Sequence, residues 1–125
     1  MQFIKSDDQR PLYEIKANLF KGLAHPVRIR ALELLSSADE VSVTAMLDEI
    51  GIEASHLSQH LAVLRRYGLV VSERRASVVF YRLAHRHVAD LLRVARVLLS
   101  EILESSQHRL SSFDELPPLP GAVQR

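Results

Sequence analysis

The sequence predicts a mainly α domain with one small β-hairpin, in the order α-α-α-α-β-β-α. Three observations predict it. Apolar residues recur at helical spacing in successive stretches between Leu12 and Tyr67. Two β-branched and aromatic runs, residues 69–73 and 77–82, then follow almost back to back. Last comes a stretch, residues 85–106, with one continuous apolar stripe. A chain of 125 residues with 47% hydrophobic content is enough for one domain with one core.

The first helix covers residues 12–24. Leu12, Ile15, Leu19, Phe20 and Leu23 lie on its apolar side and Pro11 sits at its favourable start, while Gly22 and His25-Pro26 mark a break. A second helix begins at Pro26 and buries a wide face of Val27, Ile29, Ala31, Leu32, Leu34 and Leu35. Residues 36–40 form a polar connection. Ser42 or Thr44 can cap a third helix that runs to Ile50, where Gly51 supplies the left-handed stop. After a tight turn at 52–54, Ser55 opens a fourth helix that reaches Tyr67, with Leu57, Leu61 and Leu64 inward, and Gly68 ends it. The two runs that follow pair as a hairpin through Arg74-Arg75-Ala76. Residues 1–11 are expected to be a flexible arm, residues 12–106 the folded domain, and residues 107–125, with Pro117, Pro118, Pro120 and Gly121, a disordered tail.

Composition narrows the chemistry. With no Cys, the chain has no disulfide and no thiolate metal site. No run of about 18 apolar residues occurs, so no membrane span is expected, and the start lacks a signal peptide's apolar core, so a cytoplasmic location is expected. The net charge of +1 conceals an asymmetry. Residues 53–100 hold eight Arg against three acids (Glu53, Glu73, Asp90), while each flank is net negative. Every cation in the basic block is Arg, whose planar fork suits phosphate and base edges. An activated nucleophile, a Gly-rich phosphate loop and a plausible carboxylate pair are all missing from the sequence, which excludes the common enzyme classes.

A helix, a Gly-centred turn and a second helix with a polar start form the helix-turn-helix arrangement, and the hairpin supplies a wing. With three leucines turned to the core, the fourth helix offers Ser55, His56, Ser58, Gln59 and, one turn on, Ala62 and Arg66. His60 lies one turn from His56 at the edge of that face. Gln can pair bidentately with adenine, Ser can use either partner type, and Arg suits guanine or phosphate. Arg74 and Arg75, near the hairpin tip, suit phosphates or a narrow minor groove. Ordinary capping and solubility could explain each feature singly. Their order along the chain favours double-stranded DNA.

Phe20-Lys-Gly-Leu-Ala-His-Pro-Val-Arg-Ile-Arg-Ala-Leu-Glu-Leu-Leu35 resembles the opening signature of the ArsR/SmtB family of winged helix-turn-helix repressors. So do Leu57-Ser-Gln-His-Leu-Ala-Val-Leu-Arg-Arg-Tyr-Gly-Leu-Val70 and Val79-Phe-Tyr-Arg-Leu83. The likeness runs from about residue 12 to residue 104. It implies a homodimer, a palindromic operator and repression relieved by a ligand. One departure lies at the wing tip, where Ala76 or Ser77 replaces a common Gly.

The last helix supports dimerisation without that resemblance, because so small a core cannot cover its whole stripe. The expected interface uses Leu12, Ile15 and Leu19 of the first helix with Val88, Leu91, Leu92, Ala95, Leu98, Leu99 and Ile102 of the last. The resemblance also implies an effector site on the paired last helices. It maps to His85 and His87 of one copy with positions 98 and 101 of the other. His85, His87 and Glu101 can ligate a metal and Leu98 cannot, which suits nickel or zinc in an open three-ligand site. The competing reading is a winged-helix protein–protein interaction module, or accessory subunit of a regulator, with no metal effector; in place of a metal stand a small organic ligand, a partner protein or no effector at all.

Overall fold

A computed structural model describes residues 8–114, with side chains to Arg109. Its elements are α1 (Leu12–Leu23), α2 (Pro26–Ser36), β1 (Val41–Ser42), α3 (Val43–Ile50), α4 (Ala54–Arg66), β2 (Val70–Arg75), β3 (Val78–Leu83) and α5 (His87–Asp114). Through Asp90 the chain forms a winged-helix unit, and α5 from Leu91 onward is a second unit. Among the described residues, no helix is long and apolar enough to cross a membrane.

Local chemistry fixes the helix ends. His25 caps α2 by accepting the Val27 N–H on Nδ1 at 3.1 Å, with Pro26 in the first turn, where a missing N–H costs nothing. Ser42 caps α3 by accepting the Ala45 N–H on Oγ at 3.1 Å. Gly51, at φ 75°, closes α3 and donates its N–H to the Leu47 carbonyl. Leu32, Leu35, Met46, Leu57, Leu61, Leu64 and Val70 are fully buried and join α2, α3, α4 and the sheet in one core.

The structure departs from the sequence reading in four places. Residues 41–42, read as the lead-in to a helix, form a third strand that pairs antiparallel with β3 (Val41 with Tyr81, Ser42 with Phe80), so the sheet order is β1-β3-β2. A two-residue strand carries too little pattern to register as one. The helix break expected from Gly22 and His25-Pro26 comes only after Leu23, so Gly22 itself lies in the last turn of α1, where a Cβ would stand 2.7 Å from the Tyr67 ring. The last helix starts at His87 rather than His85 and runs to Asp114, so residues 107–114 continue it instead of belonging to a disordered tail. The remainder of that predicted tail and the first seven residues of the predicted arm lie outside the described residues. Finally, both Arg74 and Arg75 belong to β2, and Ala76-Ser77 alone make the turn, with Ala76 at φ 55° in the left-handed region where Gly or Asn is usual.

Candidate nucleic-acid interface

The α4 helix begins at Ala54, one residue before the predicted start, and its N-cap Glu53 makes no side-chain capping bond. Ser55 is therefore inside the first turn, and its hydroxyl is not consumed as a cap. Leu57, Leu61 and Leu64 are buried, while Ser55, His56, Ser58, Gln59 and Arg66 are exposed. Positions 55, 58, 59, 62 and 66 follow the helical repeat and form one face. No hydrogen bond holds the Ser55, Ser58, Gln59 or Arg66 side chains among the described residues, so their donors and acceptors face solvent. A polar stripe at the start of a helix whose opposite face is locked into the core is suited to reading base edges in a major groove.

His60 stands apart from that stripe. It is half-buried against α2, its ring 4.0 Å from the His25 ring, with Arg28 Nη1 at 3.5 Å from its Nδ1. Burial lowers its pKa, and the neighbouring His25, Arg28 and His56 lower it further. His60, expected on the DNA-contacting face, thus sits at the edge of that face, packed between α4 and the start of α2. Arg28 Nε is buried without a partner among the described residues.

The wing separates its two arginines. Across the hairpin, Glu73 pairs with Phe80, Arg74 with Val79 and Arg75 with Val78. Side chains alternate along a strand, so Arg75 shares a face with Glu73, Val78 and Phe80, while Arg74 shares the other with Ser72, Val79 and the buried Tyr81. The Arg75 guanidinium lies 3.9 Å above the Phe80 ring centroid and grips Glu40 with both Nη atoms, the Nη1 bond measuring 3.0 Å. A Glu73 oxygen is 3.7 Å away. Arg75 is therefore tied down where the sequence suggested a free phosphate contact, whereas Arg74 is exposed with no partner among the described residues. At the far end of α4, Arg65 Nη1 donates to the Tyr81 hydroxyl at 3.1 Å, fixing the helix to β3. Sequence reasoning missed Glu40 and Arg65 as parts of this surface. An acid two residues before a helix cap, facing an Arg-rich hairpin, was the available signal for Glu40.

An apolar groove of about 750 Å³ opens between α1, the end of α4, β2 and the start of α5, with Leu12, Ile15 and Leu19 on one wall and Leu69, Val71 and Val88 on another. Leu12 remains 65% exposed, while Val88, expected at the interface, is 6% exposed and belongs to the unit's own core. On α5, Leu91 and Leu92 are half-buried, and Ala95, Leu98, Leu99 and Ile102 are exposed. The exposed apolar set extends to Val94, Val97 and Leu103, which sequence reasoning left out of the interface. His85, just before α5, and His87, at its start, are exposed and line the groove mouth, and Glu101 is exposed on α5. Among the described residues no three His, Cys, Asp or Glu side chains of one chain gather as a metal site.

Residues 23–73 match the family described as helix-turn-helix domain. The chain is 45% identical over 96 residues to the uncharacterized HTH-type transcriptional regulator Rv0081 of Mycobacterium tuberculosis, covering 77% of this chain and 84% of that one. The crystal structure of Rv0081 superposes with a TM-score of 0.72 over 78% of this chain and 98% of that one. The M. tuberculosis HTH-type transcriptional regulator NmtR is 40% identical over 105 residues, covering 84% of this chain and 81% of its own length. The solution structure of Mb0332 from Mycobacterium bovis, a homodimeric winged helix-turn-helix DNA-binding domain described as a possible ArsR-family regulator, has a TM-score of 0.69. Its identity is 32%, over 81% of this chain and 93% of that one.

Proposed function

The chain belongs to the ArsR/SmtB family of winged helix-turn-helix DNA-binding transcriptional regulators, which are not enzymes, and from that premise we propose that it is a homodimeric repressor reading a palindromic operator through α4. The observation that carries the reading is the polar stripe Ser55, Ser58, Gln59 and Arg66, exposed and without partners among the described residues, on a helix anchored by three buried leucines. Gln59 reads adenine, Ser55 and Ser58 adapt to either base type, and His56 and Arg66 flank them toward the phosphates. Arg74 supplies the wing's phosphate contact. His60 and Arg75 serve by holding the helix and the wing in place.

Two such units must be spaced by the dimer to meet half-sites one helical turn apart. Leu12, Ile15 and Leu19 on α1 with Leu91, Leu92, Ala95, Leu98, Leu99 and Ile102 on α5 form the interface in this proposal. Their support is that so much apolar surface on one chain demands cover. Cytoplasmic action, where the DNA is, belongs with this reading.

The effector we propose is divalent nickel or zinc, held in each half of the dimer by His85 and His87 of one copy and Glu101 of the other. Two imidazoles and a carboxylate fit such a cation, and the hydrocarbon of Leu98 in the fourth family position leaves one place open. Calorimetric titration of the metal-free protein with Ni(II) and Zn(II), beside His87→Ala, tests the site. One or two metals per dimer, lost in the variant and accompanied by a change in duplex affinity, is the expected result. Binding indifferent to His87→Ala removes the metal from the mechanism and leaves an organic ligand or a partner protein as effector.

A further inference from the structure

The wing is fastened to the rest of the domain by an acid that lies outside the helix-turn-helix and the hairpin. Glu40 immediately precedes β1, and β1 leads directly into the Ser42 cap of α3. Ser42 pairs with Phe80 on β3, and Glu73 pairs with Phe80 from the other side. Phe80 is therefore the centre of a three-strand ribbon, and Arg75 lies across it. The guanidinium stacks on the ring and makes a two-pronged ion pair with Glu40, reaching from the last residue of β2 to the residue before β1. The forked geometry matters, since a bidentate Arg–carboxylate pair fixes an orientation that a point charge does not. The same contact holds the Glu40 carboxyl below the usual carboxylate range, so it stays ionised throughout the neutral range.

The local charge count supports a role other than phosphate binding. Arg75 and Arg82 share this face with two acids, Glu40 and Glu73, so this corner of the wing carries no positive excess to offer a duplex. Arg74 projects from the opposite face and is neutralised by neither. The wing tip also needs bracing, because Ala76 holds a left-handed φ of 55° in a two-residue turn without glycine. A strap from the end of β2 to β1 limits how the hairpin can swing relative to α3.

We propose that Glu40 is a positioning residue for operator recognition: through Arg75 it sets the pose of the wing, leaving Arg74 as the hairpin cation that meets the duplex. This deepens the DNA-binding assignment. It parts from plain electrostatics in specificity: removing an acid beside DNA by charge alone tightens binding to every duplex and leaves the preference among them unchanged.

The test uses the full chain as wild type, Glu40→Gln, Glu40→Asp, Arg75→Ala, Arg74→Ala and the Glu40→Gln/Arg75→Ala double variant. Each is titrated, across a salt series, with the duplex that the wild type selects from a random library and with a scrambled duplex of the same composition. Glu40→Gln is expected to raise affinity for scrambled DNA yet lower the selected-to-scrambled ratio by about five- to tenfold, the effect of losing one modest contact. Glu40→Asp keeps the charge and shortens the reach by one methylene, and is expected to lose the ratio as well. The double variant should be no worse than either single change, as expected of two residues acting as one unit. Arg74→Ala should instead weaken both duplexes and lower the salt slope by about 1. Nitrogen relaxation of the arginine side chains in the free protein gives a readout without DNA. Arg75 Nε should be rigid and should become mobile in both Glu40 variants, with Arg74 mobile throughout. A ratio preserved or raised in Glu40→Gln and Glu40→Asp, or an Arg75 as mobile as Arg74 in the wild type, overturns the proposal.

Discussion

Gly22→Ala places one methyl group between the first helix and the recognition helix, and its cost can be worked from distances. A Cβ at Gly22 stands 2.7 Å from Tyr67 Cγ and Cδ1 and 3.0 Å from Cδ2. Carbon atoms rest about 3.5–4.0 Å apart, so the overlap is close to 1 Å and falls on the root of the ring. Rotation of the ring about χ2 cannot relieve a clash at Cγ. Tyr67 itself is held as the C-cap of α4, with its N–H on the Val63 and Arg65 carbonyls. Either α1 or the end of α4 must move. Overpacking of this kind costs about 1–3 kcal/mol, and Ala recovers up to about 1 kcal/mol of helix propensity relative to Gly. The net expectation is a loss of about 1–2 kcal/mol, equivalent to about 5 °C or more in Tm for a domain of this size. Guanidinium denaturation at one fixed protein concentration measures it, the concentration being fixed because the proposed dimer would contribute to stability. In a Tyr67→Ala background the clash disappears, and the same Gly22→Ala change should become neutral or stabilising. An equal loss in both backgrounds would refute the steric argument.

Two further outcomes follow from the α4 surface. Gln59→Ala should weaken binding to the selected duplex by about 1–3 kcal/mol and relax preference at one base position. A binding profile identical to wild type across single-base variants of the duplex would remove Gln59 from the readout. His60, whose pKa burial and its cationic neighbours hold below the ordinary histidine value, gives a pH dependence of definite sign. The unfolded chain takes up its proton first as pH falls, so the neutral brace contributes fully above about pH 6.5 and progressively less below it. Denaturation at pH 7.5 and pH 5.5 should show a smaller acid loss for His60→Gln than for wild type, and parallel losses would contradict the brace.

Much of the architecture was legible because strong local signals agreed with the tertiary fold. The Gly51 stop, the Pro26 start and the three inward leucines of α4 each state in sequence what the structure requires of them. The failures share a physical origin. Gly22 and His60 both read as local features, part of a helix break and the edge of a polar face, and the sequence did not show their packing partners about 45 and 35 positions away, Tyr67 and His25. β1 has too few residues to show a period, and its identity comes only from pairing with β3. The start of α5 was misplaced by two residues because His85 and Arg86 carry no capping signal that separates them from the helix. The polar face of α4 was legible for the opposite reason, since it is what remains once the core-facing positions are assigned.

The basic block illustrates how charge count and function diverge. Eight arginines between residues 53 and 100 suggest a broad phosphate grip. Yet Arg65 is spent on the Tyr81 hydroxyl and Arg75 on Glu40, the first bond joining α4 to β3 and the second the end of β2 to the residue before β1. Each is adjacent in sequence to an arginine without a partner among the described residues, Arg66 beside Arg65 and Arg74 beside Arg75. In each pair the backbone period sends one side chain to the scaffold and its neighbour outward, by about 100° along the helix and to the opposite face along the strand. A doubled arginine at an element's end thus does two jobs at once: one member fixes the angle of the element, and the other projects from the position so fixed. Rigidity of the supporting contact determines how well the projecting cation can be aimed, so under the proposed function substitutions at Arg65 or Arg75 are expected to act on DNA binding through geometry, and those at Arg66 and Arg74 through charge.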